Sequence, residues 1–316
     1  MSALSGDAKR KPQLKLFFLA VLCIFLWATA IPCVKLSYPL FGVVSGAPFD
    51  QILFAGIRFT GAGLLTLLIA AITKSGARSL QKKHILPTLG LGLVQTTAQY
   101  ICFYIGLSNT TGARGAILNS VSTFFTVLLA ALFFRAEKVT FRKLIGCLVG
   151  FIGIIVVNLG GGLSSRFTMN GDLLIMASSL FFALGSVISK KLSQNENPFL
   201  LTGNQLFFGG LVLLAIGYLG GGRLRAVSPA GIALLLYLIA LSATAFTIWT
   251  FLLRDHEAAS VSVYFFLLPV FGVLLSGLFL GEQVLTLRNL AALLFVCAGI
   301  YVVNSRPRGQ ISAPAA

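Results

Sequence analysis

The stretch from Gly112 to Asn158 reads GARGAILNSVSTFFTVLLAALFFRAEKVTFRKLIGCLVGFIGIIVVN. Two apolar runs, each of about 20 residues and so long enough to cross a bilayer, flank the charged turn RAEK at 135–138. The same text returns at 257–304 as EAASVSVYFFLLPVFGVLLSGLFLGEQVLTLRNLAALLFVCAGIYVVN, with Glu282 in the place of Glu137. Self-similarity over this length indicates a chain built from two copies of one unit.

The composition places this repeated unit in a membrane. Of 316 residues, 57% are hydrophobic and 10% are charged, whereas soluble proteins carry about 25% charged residues. Too little polar surface remains to cover a water-soluble globule of this size, so we expect a polytopic membrane protein. In such proteins an internal repeat is typical of transporters. The net charge of +16 comes from basic residues in short gaps between apolar runs, which is the pattern of membrane topology and not of nucleic-acid binding.

Ten apolar runs, each close to the length of a membrane-spanning helix, organise the chain. We therefore predict an all-α protein of ten transmembrane helices, arranged as two five-helix repeats at 16–159 and 171–304. A basic tail at 1–15, expected to be disordered, a linker at 160–170 and a tail at 305–316 complete the chain. The predicted spans lie near 16–36, 49–73, 85–107, 112–134, 140–159, 171–190, 198–219, 230–253, 258–280 and 286–304.

The distribution of the 24 Lys and Arg residues predicts the orientation of the spans. Most of them fall in both tails and in every second gap between spans, and these segments are expected in the cytoplasm. Both termini then lie on the cytoplasmic side of the cell membrane, which we take to be the plasma or inner membrane of a bacterium. Because five spans per repeat is an odd number, the second copy enters the membrane upside down, giving an inverted-topology repeat.

Short motifs at matching places in the two halves carry a family resemblance. They are Trp27-Ala28 and Lys35 in the first span, Arg58-Phe59 in the second, Gly106-Leu107 in the third, Ala130 to Phe133 before Glu137, and Gly281-Glu282 after the ninth span. The chain resembles the EamA type of the drug/metabolite transporter superfamily along essentially its whole length. The resemblance implies a ten-helix bundle whose first four helices in each repeat surround a central substrate cavity. It also implies export or import of small metabolites by alternating access.

Charged residues are rare inside the spans, and their signs indicate which substrate charges are favoured. No Asp or Glu lies in the middle of an apolar run, which argues against the carboxylate switch of a proton-coupled exporter of cationic drugs. Neutral, zwitterionic or anionic substrates are favoured instead. Arg58 is the deepest charge of the chain. Its guanidinium suits a carboxylate or phosphate, although a structural role with backbone carbonyls as partners is an alternative.

Polar and aromatic residues in the spans around the expected cavity are further candidates. Amide side chains facing lipid would be costly, so these groups are expected to face the bundle interior. Hydrogen bonding between helices, or core packing for the aromatic residues, is the alternative. Pro32 and Pro269 each remove a hydrogen bond inside a span and are predicted gating hinges or, alternatively, fixed kinks. The predicted substrate-binding set is Arg58, Gln99, Tyr104, Asn119, Trp249 and Tyr264.

Enzyme signatures are missing from the sequence, which contains neither a phosphate-binding GxxxxGK[ST] loop nor an HExxH zinc motif. The cluster Asp255-His256-Glu257 is the one candidate for acid–base chemistry, and it occupies a tight turn in which solvated charges are the ordinary explanation. We therefore predict no catalytic residues, no metal site and no cofactor.

The sequence predicts a secondary transporter, an exporter or exchanger of amino-acid-like neutral or zwitterionic solutes. A carrier of phosphorylated substrates, such as nucleotide sugars or sugar phosphates, is a second hypothesis. It requires several basic residues near mid-membrane, and Arg58 is the single candidate. A membrane-embedded enzyme or scaffold is a third. The expected partners are the small-molecule substrate and the lipid bilayer, with a monomer favoured over a homodimer.

Overall fold

The structure, a computed structural model, describes residues 3–44, 46–73, 79–109, 115, 118–134, 136–158, 168–280 and 287–304. Within these ranges the chain forms ten helices and no strand. The predicted all-α class is therefore confirmed. The turn at Glu282, linker residues 160–167 and the tail at 305–316 lie outside the described residues, as does the side chain of Lys35.

The helices correspond one to one to the predicted spans. Three of them are not α-helical throughout: α3 contains a π-helical segment at Gly92–Ala98, α6 begins with one at Met169–Leu173, and α9 contains a 3-10 turn at Val263–Phe266. The bounds are α1 Ala3–Leu40, α2 Pro48–Ile72, α3 82–108, α4 Ser122–Phe133, α5 Phe141–Asn158, α6 Met169–Ser193, α7 Pro198–Leu219, α8 Pro229–Asp255, α9 258–280 and α10 Leu287–Asn304.

The first helix is longer than predicted. Because α1 begins at Ala3, the prediction of a disordered tail at 1–15 is wrong from that residue onward. Nine of the 13 residues at 3–15 are Ala, Leu, Lys, Arg or Gln, which have high helix propensity, and the helix continues through them in spite of Gly6 and Pro12. The charge pattern identified the polar character of this segment but not its backbone conformation.

Local sequence explains where several helices begin. Pro48, Pro198 and Pro229 occupy the first turn of α2, α7 and α8, where the missing N–H has no intrahelical partner to lose. Asn197 caps α7, since its side-chain oxygen accepts a hydrogen bond from Phe199 N at 2.8 Å. These positions fix the ends of the spans independently of their apolar content.

In the part of the chain that the structure describes, five helical segments are long and apolar enough to cross a membrane: 14–34 within α1, and helices α2, α6, α7 and α8. Shorter apolar helices cover Leu118–Phe133, Ala258–Gly272 and Leu293–Asn304. The apolar stretches thus extend through both halves of the chain, as expected for a multi-pass membrane protein.

Glycines allow α2 and α7 to pack backbone against backbone. A Cβ atom added to Gly63 would lie 2.3 Å from Phe207 N, and one added to Gly56 would lie 2.5 Å from Leu214 N. These distances are far inside van der Waals contact, so only glycine permits the approach. As residue numbers fall along α2 they rise along α7, which shows that the two helices run antiparallel.

The fifth and tenth helices pack in the same way. A Cβ added to Gly299 would lie 2.6 Å from Gly150 N, and one added to Gly146 would lie 2.6 Å from a side-chain carbon of Val303. This pair is antiparallel as well, because the contact moves forward along α10 as it moves backward along α5. The glycines of the fifth span therefore serve packing within one chain.

These two pairs show how the repeats are related. Helices α2 and α7 are the second members of the two repeats, and α5 and α10 are the fifth members. Equivalent helices that run antiparallel against each other are related by a two-fold axis in the membrane plane, as an inverted repeat requires. The remaining contacts obey the same relation, since α1 packs on α8 and its equivalent α6 packs on α3.

Ion pairs join the two repeats at both ends of the bundle. At one end, which we call the latch end, Lys190 Nζ of α6 lies 3.0 Å from Glu137 Oε1, although without hydrogen-bond geometry. Glu137 Oε2 also accepts a hydrogen bond from Ala258 N at 2.9 Å. At the opposite end Asp50 of α2 pairs with Arg225, which precedes α8.

Candidate functional site

A cavity of about 60 Å³ lies in the centre of the bundle, a volume sufficient for a few water molecules. Helices of both repeats contribute to its wall. The lining residues are Trp27, Ala30, Val34, Arg58, Gln99, Tyr100, Phe103, Leu107, Asn119, Phe182, Phe265 and Leu268.

The cavity extends from the middle of the bundle towards the end marked by Asp50. Trp27 and Phe182 lie in the middle of the membrane-spanning parts of α1 and α6, whereas Val34 and Leu107 lie in the last turns of their spans. Among the described residues, none at the latch end lines the cavity. This cavity therefore lies in one half of the bundle. The other half, which we call the closed half, contains buried side chains such as Ser189, Gln205 and Thr250.

Arg58 is the charged residue of the cavity wall, and its side chain is only 3% exposed. Its Nε donates a hydrogen bond to Ser242 Oγ on α8 at 2.9 Å, and its Nη1 donates to Tyr104 Oη on α3 at 3.4 Å. The guanidinium carbon lies 4.9 Å from the centre of the Phe59 ring. All of these partners are neutral, so they orient the charge without compensating it.

Within the described residues, no carboxylate lies at ion-pair distance from Arg58, and its Nη2 donates no hydrogen bond. A buried charge is costly unless it is paired or hydrated. Arg58 is therefore equipped to donate to a molecule in the cavity. A carboxylate or phosphate is the group that a guanidinium binds through two parallel hydrogen bonds.

Two other lining residues carry buried polar atoms. Gln99 Oε1 and Trp27 Nε1 have no hydrogen-bond partner in the part of the chain that the structure describes. Unpartnered buried polar atoms are rare, because each costs about 1–3 kcal/mol. Both atoms are enclosed in this structure, so a bound molecule would reach Gln99 Oε1 as an acceptor or Trp27 Nε1 as a donor after a change of side-chain rotamer.

Four aromatic rings separate the cavity from the latch end. The ring centre of Trp27 lies 5.2 Å from that of Trp249 and 5.3 Å from that of Phe265. Phe182 lies 4.7 Å from Phe265. We call these four residues the aromatic floor. Their closely packed rings exclude water, and the three that line the cavity, Trp27, Phe182 and Phe265, suit contact with an apolar side chain or a cationic group.

Three of the predicted binding residues line the cavity together: Arg58, Gln99 and Asn119. Asn119 is half-buried, and its Oδ1 lies 3.4 Å from Ser179 Oγ on α6, whose hydroxyl has a nearer acceptor in Ile175 O at 3.0 Å. The cavity thus brings one cationic side chain and two carboxamides to a common space.

The other three predicted residues do not line the cavity. Tyr104 lies behind Arg58 as its hydrogen-bond partner. Trp249 belongs to the aromatic floor, where its Nε1 donates to Ser186 Oγ at 3.3 Å. Tyr264 is buried and packs against Phe17 of α1, with 6.2 Å between ring centres.

The two predicted hinges occupy different environments. Pro32 is half-buried within the uninterrupted helix α1. Pro269 is buried in α9, three residues after the end of the 3-10 turn Val263–Phe266. Because Pro269 has no N–H to donate to the carbonyl of Phe265, the chain tightens into this turn before continuing as an α-helix. The irregular segment includes a floor residue, so a hinge here would move the cavity wall; this role remains a prediction.

Some site residues were not among those predicted. Trp27 and Phe182 occupy equivalent positions in the two repeats, and this equivalence was their signal in the sequence. Ser242 offered no such signal, because a serine within an apolar span commonly bonds its own helix backbone. Its Oγ does so as well, donating to Leu238 O at 2.8 Å while accepting from Arg58.

The candidate acid–base cluster at 255–257 is dispersed among separate partners. Asp255 pairs with Arg254 at 2.7 Å, and Glu257 pairs with Lys143 at 2.9 Å. Burial lowers the pKa of His256, which disfavours its charged form. These contacts account for the two carboxylates as ordinary ion pairs at the latch end.

Comparison with known proteins agrees with this architecture. The model of the EamA-like transporter family matches residues 14–159 and, separately, 169–305. The chain belongs to the EamA-like transporter family. It is therefore a multi-pass membrane transporter, built as the inverted repeat that the helix packing displays.

Relatives of this EamA protein cover nearly its full length. The uncharacterized transporter YvbV of Bacillus subtilis is 28% identical over 314 residues, which cover 96% of each chain. An uncharacterized transporter of Archaeoglobus fulgidus is 25% identical over 92% of this chain and 99% of its own. The chloroplastic WAT1-related protein At3g02690 of Arabidopsis thaliana is 26% identical over 89% of this chain and 67% of its own.

A solved crystal structure has the same fold as this EamA protein. The two superpose with a TM-score of 0.75 over 92% of this chain and 96% of the other, at 18% sequence identity. At this level of identity the likeness supports the fold, while the substrate has to be argued from the cavity.

Proposed function

We propose that this EamA protein exchanges or exports amino-acid-like solutes, neutral or zwitterionic, through the cavity around Arg58 by alternating access. The observation that carries the proposal is the buried Arg58, which meets only neutral partners among the described residues. A solute carboxylate would supply the missing countercharge. Two parallel hydrogen bonds would fix its orientation.

The rest of the cavity suits the other end of such a solute. Gln99 Oε1 has no protein partner, and Asn119 contributes a second carboxamide to the same space. These oxygens can accept hydrogen bonds from an amine or ammonium group. The aromatic floor beside them favours a cationic group over the ring faces or an apolar side chain.

Phosphorylated substrates fit this cavity less well. A phosphate monoester carries close to two negative charges at neutral pH. The lining contains one arginine and no lysine among the described residues. Trp27 Nε1 is a further donor but carries no charge. A carboxylate matches the single guanidinium in charge, so we favour it over a sugar phosphate or nucleotide sugar.

Alternating access is supported by the two halves of the bundle. The repeats are related by an in-plane two-fold axis, and one half surrounds the cavity. The other half is closed by the aromatic floor and by the ion pair of Lys190 with Glu137. Exchange of the two arrangements would open the cavity to the opposite side. No Asp or Glu lines the cavity within the described part of the chain, which favours solute exchange over a carboxylate-based proton switch.

Thermal unfolding of the purified protein tests the substrate class. A ligand that binds only the folded state raises the Tm in proportion to the logarithm of its concentration. We propose a panel of amino acids, each matched with the amine that lacks its carboxylate, together with polyamines, nucleosides and sugar phosphates. We expect one or more amino acids to raise the Tm and their matched amines to have no effect. Stabilisation by sugar phosphates alone would contradict the proposal.

Tyr104→Phe is expected to weaken binding of the best amino acid by roughly 2- to 10-fold, the effect of losing one neutral hydrogen bond of about 0.5–1.5 kcal/mol. The ring remains, so the folded yield should not change. The matched control is Tyr237→Phe, which removes a hydrogen bond of 2.7 Å to Thr29 on the outside of the bundle. Equal effects of the two substitutions, measured by titrated Tm shifts, would show that Tyr104 does not act through Arg58.

A further inference from the structure

The glycines at which α2 and α7 pack together show which residues of the two helices are equivalent in the two repeats. Gly56 and Gly63 of α2 have the same spacing as Gly203 and Gly210 of α7, and all four approach the opposite helix. Gly210 and Gly217 have this spacing as well, but matching them to Gly56 and Gly63 would carry the end of α2 beyond Leu219. The displacement onto Gly203 and Gly210 instead carries residues 51–72 onto the whole of α7. In this register Arg58 falls on Gln205. Gln205 is therefore the counterpart of Arg58 in the second repeat.

Gln205 is buried deeply, at 1% exposure, and its Oε1 has no hydrogen-bond partner in the described part of the chain. Its backbone oxygen lies against α3, because a Cβ added to Gly92 would be 2.8 Å from it. One turn earlier on α7, Thr202 shares a hydrogen bond of 2.9 Å with Thr250 of α8. Gln205 thus lies inside the closed half of the bundle. An apolar side chain could pack at this position, so packing alone does not explain a glutamine there.

Other cavity residues have counterparts in the closed half. The alignment of α1 with α6 places Ser189 opposite Val34, and the alignment of α4 with α9 places Thr123 opposite Leu268. Ser189 and Thr123 are both buried. Where the cavity half has apolar lining, the closed half thus contains hydroxyl groups that are hidden from water.

Two lining residues indicate that the two-fold axis passes near the cavity. Trp27 and Phe182 are counterparts of each other, and both line the cavity. Residues near a two-fold axis must remain in the wall when the two halves exchange roles. Residues far from the axis, such as Arg58, must instead be replaced by their counterparts.

We propose that Gln205 is a substrate-binding residue of the cavity that opens at the latch end, in the position that Arg58 has in the cavity seen here. The inference rests on the proposed function, since it requires that the two halves alternate. In that second cavity a carboxylate- and amine-bearing solute meets a carboxamide with one acceptor and two donors, together with the hydroxyl of Ser189. A neutral carboxamide holds a carboxylate less strongly than a guanidinium does. Release is therefore favoured at the latch end.

Thiol labelling tests this placement without knowledge of the solute. In a variant lacking the five native cysteines, Gln205→Cys is reconstituted and treated with a cationic, membrane-impermeant methanethiosulfonate on one side at a time. We expect labelling from the latch end and none from the opposite side. The control is Leu206→Cys, since Leu206 is equally buried on the same helix and its counterpart Phe59 does not line the cavity. It should not be labelled from either side.

Ser189→Cys provides a second readout that changes the side-chain volume very little. It too should be labelled from the latch end.

Absence of labelling at both positions, in protein whose Arg58→Cys variant is labelled from the opposite side, would overturn the inference. Labelling of Leu206→Cys as fast as Gln205→Cys would also overturn it, because general loosening would then explain access. If amino-acid exchange persists while both positions stay unlabelled, only this inference fails. If both are labelled and no amino acid binds, the proposed substrate class fails instead.

Discussion

Arg58→Lys is expected to weaken binding of an amino-acid solute about 10- to 150-fold, which corresponds to about 1.5–3 kcal/mol for one lost charge-assisted hydrogen bond. Arginine can hold Ser242 through Nε and Tyr104 through one hydrogen of Nη1, while the other Nη1 hydrogen and Nη2 remain for the solute. An ammonium group is a single point donor and cannot maintain that fork. Charge is conserved in this variant, so a loss of affinity reports geometry and not net attraction.

Arg225→Lys is the matched control for this experiment. It replaces an arginine by lysine as Arg58→Lys does, but Arg225 forms an ion pair with Asp50 and does not line the cavity. We expect the Arg225→Lys protein to bind the amino-acid solute with the same dissociation constant as the wild type. If Arg58→Lys lowers the Tm of the unliganded protein and leaves the dissociation constant unchanged, Arg58 is a structural residue and does not bind the solute.

Gly63→Ala is expected to destabilise the protein by about 1–3 kcal/mol, the usual effect of overpacking a close contact. The new Cβ would lie 2.3 Å from Phe207 N and 2.5 Å from Phe207 Cα. Backbone atoms cannot rotate away, so α2 and α7 must separate. The Tm and the fraction of monodisperse protein after detergent extraction should both fall.

Gly90→Ala is the control for helix propensity. Gly90 is also helical, but nothing lies within 4 Å of the position that its Cβ would take. Alanine is favoured over glycine within a helix by about 1 kcal/mol, so this variant should be as stable as the wild type or more stable. A Gly63→Ala protein as stable as Gly90→Ala would show that α2 and α7 are not held in close contact.

Most of the fold could be predicted from the sequence because apolar length and internal repetition determine it. The spans at 198–219 and 258–280 agree with α7 and α9 at both ends. Pro198 explains the first of these, since proline is favoured in the first turn of a helix. The repeat Glu137/Glu282 with an odd number of spans was sufficient to predict the inverted relation of the two halves.

The cavity was less accessible to prediction. Gln95 and Gln99 are four residues apart and would share a face of an α-helix, but the π-helical segment Gly92–Ala98 changes the spacing. Gln99 lines the cavity, whereas Gln95 packs against Gly185 of α6. No local sequence signal predicts the π-helical segment.

Counterflow in proteoliposomes tests most directly whether this EamA protein moves amino-acid-like solutes through the Arg58 cavity by alternating access. Vesicles are loaded with the unlabelled amino acid that gives the largest Tm rise, and a trace of the same labelled amino acid is added outside. We expect the label to accumulate transiently above its equilibrium level with the wild type, and accumulation to be strongly reduced with Arg58→Lys at the same solute concentration. A time course identical to that of protein-free vesicles, for every amino acid of the panel, would contradict the proposed function.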